Sequence, residues 1–394
     1  MVSKREYDIK YNAEQLVLMG EKVADIYEQL QRDLFFRTVR RLKERGTNDL
    51  LDNPYIWQMH ALNDMHLLND ENIRLIAERS EIAERELRRV IENEGLKVYD
   101  DTFKQLAEDL GREGTTANHY DVQRSLQALA DQTMGDINNV INTTLPQETQ
   151  AMYKDVVEQT VAEVVTGLKA PQQAFRDTIY KWHERGFRGF QDRAGRWWNA
   201  DTYARTVIKS TTYRTYRQMR EAPAEEFGID TFYYSMKSSA REMCAPLQHQ
   251  VVTKGESFTA DDGTEVMSLL DYDYGTPSGC MGINCGHMMT PFIPGINNIP
   301  DLPDEVKNLT PDEAIENANI ESKQRAIERE IRKNKEKLAL AKELEDDEEI
   351  EKRTLRGRNL NDAMERFVNL HNLDRKRDRE RYYNFNTRRT QHAQ

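Results

Sequence analysis

LVLMGEKVADIYEQLQRDL, residues 16–34, sets Leu16, Met19, Val23, Ile26, Leu30 and Leu34 at steps of three and four. On a helix of 3.6 residues per turn these side chains form one apolar stripe. Working outward, Ile73, Ile76, Ala83, Leu87 and Val90 make a second stripe, with Asn69 and Asp70 as side-chain caps for its start. Leu126, Leu129, Ile137 and Val140 make a third, expected to stop near Pro146, which has no N–H to donate. A fourth runs from about Gln147 to Leu168, ahead of Pro171. The first 180 residues therefore read as a helical region whose stripes are core positions. His60 and His66 lie off the i, i+4 spacing that would place two ligands on one helix face, so no catalytic constellation is visible there.

The chain has 394 residues, more than one compact core usually needs. Charged residues make up 31% and apolar ones 38%, a balance that suits solvent-washed helices or a protein that completes its burial in an assembly. The formal net charge of -12 argues against a protein that coats duplex DNA, which needs a positive surface to displace counterions. No apolar run is long enough to span a bilayer, and the polar N-terminus lacks the apolar segment of a signal peptide. Synthesis in a cytoplasm is expected. No phosphate-cradling G-x-x-x-x-G-K-[ST] loop is present, which removes a packaging motor from consideration.

The texture changes near Arg185. Gly186, Gly189 and Gly195 alternate with Phe187, Phe190, Trp197 and Trp198, a helix is expected from about Asp201 to Met219, and Thr231–Ser235 has the β-branched and aromatic composition of a strand. Turn formers dominate from Val251 to Pro300. From about Pro311 helical spacing returns, with Ile327, Ile331, Asn334, Leu338 and Ala341 as a short seam. Charge then comes in blocks: net +5 over 322–342, -6 over 343–352 and +4 over 374–394. Such blocks read as solvated faces or interaction tails, and Arg375, Lys376, Arg377, Arg379 and Arg381 are the candidates for contact with nucleic-acid phosphate. The expected fold is mainly α, with an elongated helical N-terminal part (1–180), a small loop-rich α+β module (181–300) and a charged helical C-terminal tail (301–394).

Chemistry concentrates in the module. The three cysteines, Cys244, Cys280 and Cys285, lie within a short stretch, and His287 follows Cys285 by two positions. An odd count in a reducing compartment disfavours a disulfide framework. Three thiolates and an imidazole would instead close a tetrahedral Cys3His site around one structural zinc, with His249 as a spare ligand. The alternative is that the thiols are small buried apolar groups and the histidine a satisfied core residue. Neither a cysteine nucleophile nor a His-Asn-His arrangement of His249, Asn284 and His287 has a sequence-visible orienting group or the ββα surroundings such chemistry uses.

Three blocks carry a resemblance to a known family. They are RGFRGFQDRAGRWWNADTYARTVIKSTT (185–212), YYSMKSSAREMCAPLQHQVV (233–252) and YGTPSGCMGINCGHMMTPFIPGIN (274–297), with KQRAIEREIRKNKEKLA (323–339) as a weaker fourth. Together they resemble the phage minor capsid protein 2 family of siphovirus heads. The family's pattern of Ser, Ala-Arg, Cys or His, then Gln falls on the second block, and its Gly-x-Asn-Cys-x-His segment falls on the third. The sequence departs from the pattern at Gly286, where the family has a basic residue, and at His249, where a glycine often stands.

The resemblance implies a minor capsid or head-morphogenesis protein of a tailed bacteriophage and no enzymatic activity. Such a protein sits inside the head near the portal and aids assembly or genome packaging and delivery. The implied partners are portal or major capsid protein, with loose contact to packaged DNA, no membrane and no small-molecule substrate. Two other readings compete: a DNA-binding ejection or packaging accessory that uses the C-terminal basic blocks, and a metal-dependent hydrolase.

Overall fold

The stripe in residues 16–34 is the buried face of α1 (Ala13–Arg45): Leu16, Val23, Ile26, Leu30 and Leu34 are all buried, and Met19 is partly so. Removing each such leucine from water stabilises the fold by roughly 1.5–3 kcal/mol. The computed structural model describes residues 13–112, 117–186, 188–191, 195, 197–283 and 285–382.

Helix α2 (Pro54–Arg88) starts earlier than the second stripe suggests. Pro54 supplies its first position, where the missing N–H is not needed, and Asn69 and Asp70 lie inside the helix rather than capping it. A π-helical turn (Arg89–Glu94) leads into α3 (Gly95–Asp109). Helix α4 (His119–Val165) corrects the expected stop at Pro146, because it runs through that residue. Ile141, Leu145, Met152, Tyr153, Val156 and Val157 are fully buried on either side, and their burial outweighs the roughly 3 kcal/mol that an interior proline costs. Helix α5 (Pro171–Arg185) again begins on proline. A two-stranded antiparallel ribbon of β1 (Arg188–Gln191) and β2 (Trp197–Asn199) follows, then α6 (Ala200–Glu226).

The chain forms two compact units, each assembled from three separate stretches. The first comprises Met1–Glu21, Glu86–Thr133 and Ile208–Arg325 and contains the five-stranded sheet. Its strands are β3 (Thr231–Tyr234), β4 (Val251–Thr253), β5 (Phe258–Thr259), β6 (Glu265–Ser268) and β7 (Met289–Pro291), in the order β5-β6-β4-β3-β7. Among the described residues only the β4–β6 pairing of this sheet is parallel. The inner strand β3, between β4 and β7, is buried throughout, and alternation along it builds two cores. Phe232 and Tyr234 face a cluster with Val252, Leu269, Met289 and all three cysteines, while Tyr233 faces Val251, Val266 and Phe292. A short helix α7 (Asp304–Lys307) precedes α8 (Pro311–Glu343). Helix α8 opens with a capping box in which Thr310 Oγ1 accepts from the Glu313 N–H and the Glu313 carboxylate accepts from the Thr310 N–H.

The second unit comprises Lys22–Arg85, Met134–Val207 and Ala326–Gln394. Here α8 and α9 (Asp347–Leu370) share a small core of Ile331, Met364 and Val368, flanked by Ile327, Leu360 and Leu373. Asn334, the polar residue of the seam, is buried and donates to the Arg353 carbonyl, so its amide has a partner inside the pair. The acidic run is not simply a solvated face. Asp346 caps α9 by accepting from the Glu349 N–H, Glu343 pairs with Arg40, Glu345 with Lys43, and Tyr180 donates to Asp346. The fold is mainly α with one small α+β sheet region, as the sequence pattern predicts.

Candidate functional site

Cys244 follows β3 by ten residues and begins a 3-10 turn (Ala245–Leu247). Cys285 and His287 lie on the segment that enters β7. Two cations hold these segments together. The Arg241 guanidinium donates to the carbonyls of Ile283 and Gly279, and the Lys237 ammonium donates to the Gly286 carbonyl. Arg217 of α6 adds a bond to the Met281 carbonyl. The loop folds so tightly that a Cβ on Gly279 would lie 1.9 Å from the Asp273 carbonyl oxygen, and one on Gly282 would lie 2.5 Å from that of Pro277. Only glycine fits at either place.

The result brings Cys244, Cys285 and His287 into one buried group whose donor atoms all lie within 4.8 Å of one another. Cys285 Sγ is 3.7 Å from Cys244 Sγ and 3.5 Å from His287 Nδ1. Gln248 Oε1 accepts from the backbone N–H of Lys237 at 2.7 Å and from His287 Nε2–H at 2.9 Å. Because a backbone N–H can only donate, that bond sets the amide orientation, and the same oxygen places the imidazole hydrogen on Nε2. Nδ1 is then the ring nitrogen that faces Cys285. Tyr234 closes one side, with its ring 5.1 Å from that of His287 and its hydroxyl 4.0 Å from Cys285 Sγ.

The electrostatics follow from this packing. The hydrogen bond from Cys244 and the contact with His287 hold the Cys285 thiol well below the usual thiol range despite its burial. The same hydrogen bond between the two thiols, with burial, pushes Cys244 up. Burial pushes Cys280 up to about 12, with the charge of Cys285 adding to it. Burial likewise raises Tyr234, and the neighbouring sulfurs Cys285 and Cys244 reinforce the shift.

The other expected ligands stand apart. Cys280 is buried in the same core, but its thiol donates to the Leu269 carbonyl at 3.6 Å, and it is not in the three-residue group. His249 adopts a left-handed backbone (φ 63°) and its Nδ1 meets the Tyr233 hydroxyl at 3.0 Å, at a residue that faces the other core. Asn284 lies outside the described residues, so the His249, Asn284 and His287 arrangement has no geometry to report.

Sequence reasoning passed over Gln248, Tyr234, Arg241 and Lys237 as site residues. Gln248 and Arg241 were signalled by the Ala-Arg, Cys, Gln order itself. A Cβ at Gly286 would lie 2.9 Å from the Lys237 ammonium nitrogen, the movable end of a flexible side chain.

The basic C-terminal candidates have unlike surroundings. Arg375 has its guanidinium bonded to Glu380, Glu365 and Asn361, with the side chain 11% exposed. Those bonds to Glu380 and Glu365 hold its pKa above the usual arginine value. Lys376, Arg377 and Arg381 are exposed and Arg379 is partly so. Residues 383–394 of the basic block lie outside the described residues.

Comparison with known proteins adds the following. A family described as phage minor capsid protein 2 matches residues 11–369. A structural protein of Lactococcus phage LL-H is 29% identical over 324 residues, covering 80% of this chain and 86% of that protein. A structural protein of Lactococcus phage mv4 is 36% identical over 77 residues, covering 20% of this chain and 58% of that protein. No solved structure matches.

Proposed function

Since the chain belongs to the phage minor capsid protein 2 family, we propose that it is mounted inside the head at the portal or inner capsid and aids head assembly or genome packaging and delivery. The docking role falls to the helical residues 1–180, the charged residues 301–394 supply contact with the genome, and 181–300 is the cysteine-containing module. The observation that carries this is an apolar patch where α2 begins. Leu51, Tyr55, Ile56 and Met59 are each more than half exposed, all within nine residues of a chain otherwise rich in charge. Contiguous exposed apolar surface marks a protein contact, and an aromatic with a methionine is the composition that interface centres favour.

The reading includes no turnover. The thiol–imidazole pair is buried, and the second imidazole nitrogen is held by Gln248. Purified protein is expected to leave phosphoester, peptide and glycosidic substrates intact. Among the described residues no helix is long and apolar enough to cross a membrane. The competing DNA-binding reading is disfavoured because Arg375 is held by three partners within the fold. Loose contact with packaged DNA is left to Lys376 and Arg377.

The test is incorporation. Tyr55→Asp and Met59→Asp should leave the circular dichroism spectrum and melting temperature unchanged, and should sharply reduce the copies recovered in heads assembled with portal and capsid proteins. Normal incorporation of both folded variants would overturn the docking assignment.

A further inference from the structure

We propose that Cys244 Sγ, Cys285 Sγ and His287 Nδ1 bind one soft divalent cation, zinc in the first instance, and that Cys280 is not among its ligands. The argument is geometric. Zinc–sulfur bonds of about 2.3 Å and zinc–nitrogen bonds of about 2.05 Å at tetrahedral angles give edges of about 3.8 Å between two sulfurs and about 3.6 Å between sulfur and nitrogen. The observed separations are 3.7 Å for Cys244–Cys285 and 3.5 Å for Cys285–His287. Two edges of the coordination tetrahedron are therefore already set by the chain. Donor chemistry agrees, since two thiolates and an imidazole select zinc over hard cations such as magnesium or calcium.

The surroundings are those of a supported ligand. A metal-binding histidine ordinarily donates its other ring N–H to a fixed acceptor, which orients the ring and its tautomer. His287 does so to Gln248 Oε1, and that amide is itself fixed by the Lys237 N–H. All three ligand residues are buried, a water or other non-protein ligand would complete the tetrahedron, and the binding energy adds to the stability of the loops that Arg241 ties together. Cys280 is directed to the Leu269 carbonyl, which is why it is left out.

This inference is independent of where the protein sits in the head, because it is read on isolated full-length protein. Metal analysis after mild purification should find about one zinc per chain. After exchange, cobalt should give the visible d–d bands of a tetrahedral site and a thiolate-to-cobalt charge-transfer band. Cys244→His should keep the stoichiometry and lose about half of that band, since one of two sulfurs is replaced. Gln248→Ala should weaken binding about 10- to 100-fold, as loss of a ligand's outer hydrogen-bond partner typically does. Cys280→Ser should match the parent in content and spectrum.

Folded parent protein that contains no zinc and takes up no cobalt would overturn the proposal, as would a Cys244–Cys285 disulfide in freshly purified protein. A Cys280→Ser variant that is folded yet loses the metal would overturn the three-residue ligand set. Because the parent measurement needs no substitution, a variant that fails to fold does not leave the question open.

Discussion

At Gly279 the backbone of one loop lies against the carbonyl of another, and a single methyl group decides whether the loop closes. A Cβ there would stand 1.9 Å from Asp273 O, a backbone atom that cannot swing away as a flexible side chain would. Gly279→Ala is therefore expected to destabilise by about 3 kcal/mol in urea unfolding, the upper range for forced overpacking. Gly135, exposed in α4 with open space around it, is the opposite case. Gly135→Ala should stabilise by roughly 0.5–1 kcal/mol through helix propensity and a less disordered unfolded chain. A second residue-scale prediction concerns Glu28. Burial alone would raise its pKa, but Arg32 and Arg205 outweigh that and the carboxyl is held below its ordinary value. Arg205 reaches both Glu28 and Asp25 at 2.6 Å. A lowered carboxylate contributes stability that is complete above its unfolded pKa and is lost as pH falls through the folded one. Glu28→Gln should thus be less stable than the parent at neutral pH, and the gap should close in acid, below the ordinary carboxylate range. A gap that persists unchanged there would show that the effect is packing and not charge.

Elements were legible in the sequence where one face of a helix is buried by period alone. The stripe of α1 and the strand at 231–234 came directly from spacing and β-branched or aromatic composition, because burial there follows the local repeat. Boundaries were less legible, because they depend on tertiary burial that no window contains. Pro146 reads as a stop, yet the apolar residues before and after it are buried along one continuous helix. Asn69 and Asp70 read as caps, yet the helix had already begun at Pro54. If Pro146 is tolerated rather than needed, Pro146→Ala should raise stability by about 1–3 kcal/mol in denaturant unfolding, since the interior proline penalty is removed from a segment that is already helical. A loss of stability would mean that the proline sets a bend on which the packing around Leu145 and Thr149 depends. The site shows the same division. Cys244, Cys285 and His287 could be nominated from residue type, but the exclusion of Cys280 from the group depends on loop closure by Arg241 and on two glycines that admit the backbone, and neither is visible as periodicity.

For the whole molecule, the consequence lies in how the chain is distributed. Each compact unit takes residues from near the start, the middle and the later part of the sequence. Removing residues 1–140 would therefore strip Val23, Leu30 and Leu34 from one core and Val98, Leu106 and Leu126 from the other. Loss of incorporation by such a truncation would report unfolding, which is why point changes at Tyr55 and Met59 are the cleaner probe of docking. The same reasoning applies to the C-terminus, where a charge block alone suggests a dispensable tail. Glu380 is buried, accepts from Arg375 through both carboxylate oxygens, and gives its carbonyl to Lys335, while the Arg32 guanidinium lies over the Tyr382 ring. Cutting at residue 374 removes all of these at once and leaves Lys335 and Glu365 without their partners. Truncation of 374–394 is accordingly expected to lower stability by about 2–4 kcal/mol, the scale of a broken, partly buried ionic network. Truncation of 383–394 alone keeps every one of those contacts and should melt with the parent. Both proteins can then be titrated with duplex DNA across a range of salt. If the basic block holds DNA only loosely, the parent's affinity should be weak, with a salt slope of only about one to three released ions, and removing 383–394 should lower that slope without changing the fold. Equal melting of the two truncations would show that the Arg375–Glu380 pair does not support the second unit, and would return the C-terminal block to the class of solvated tails.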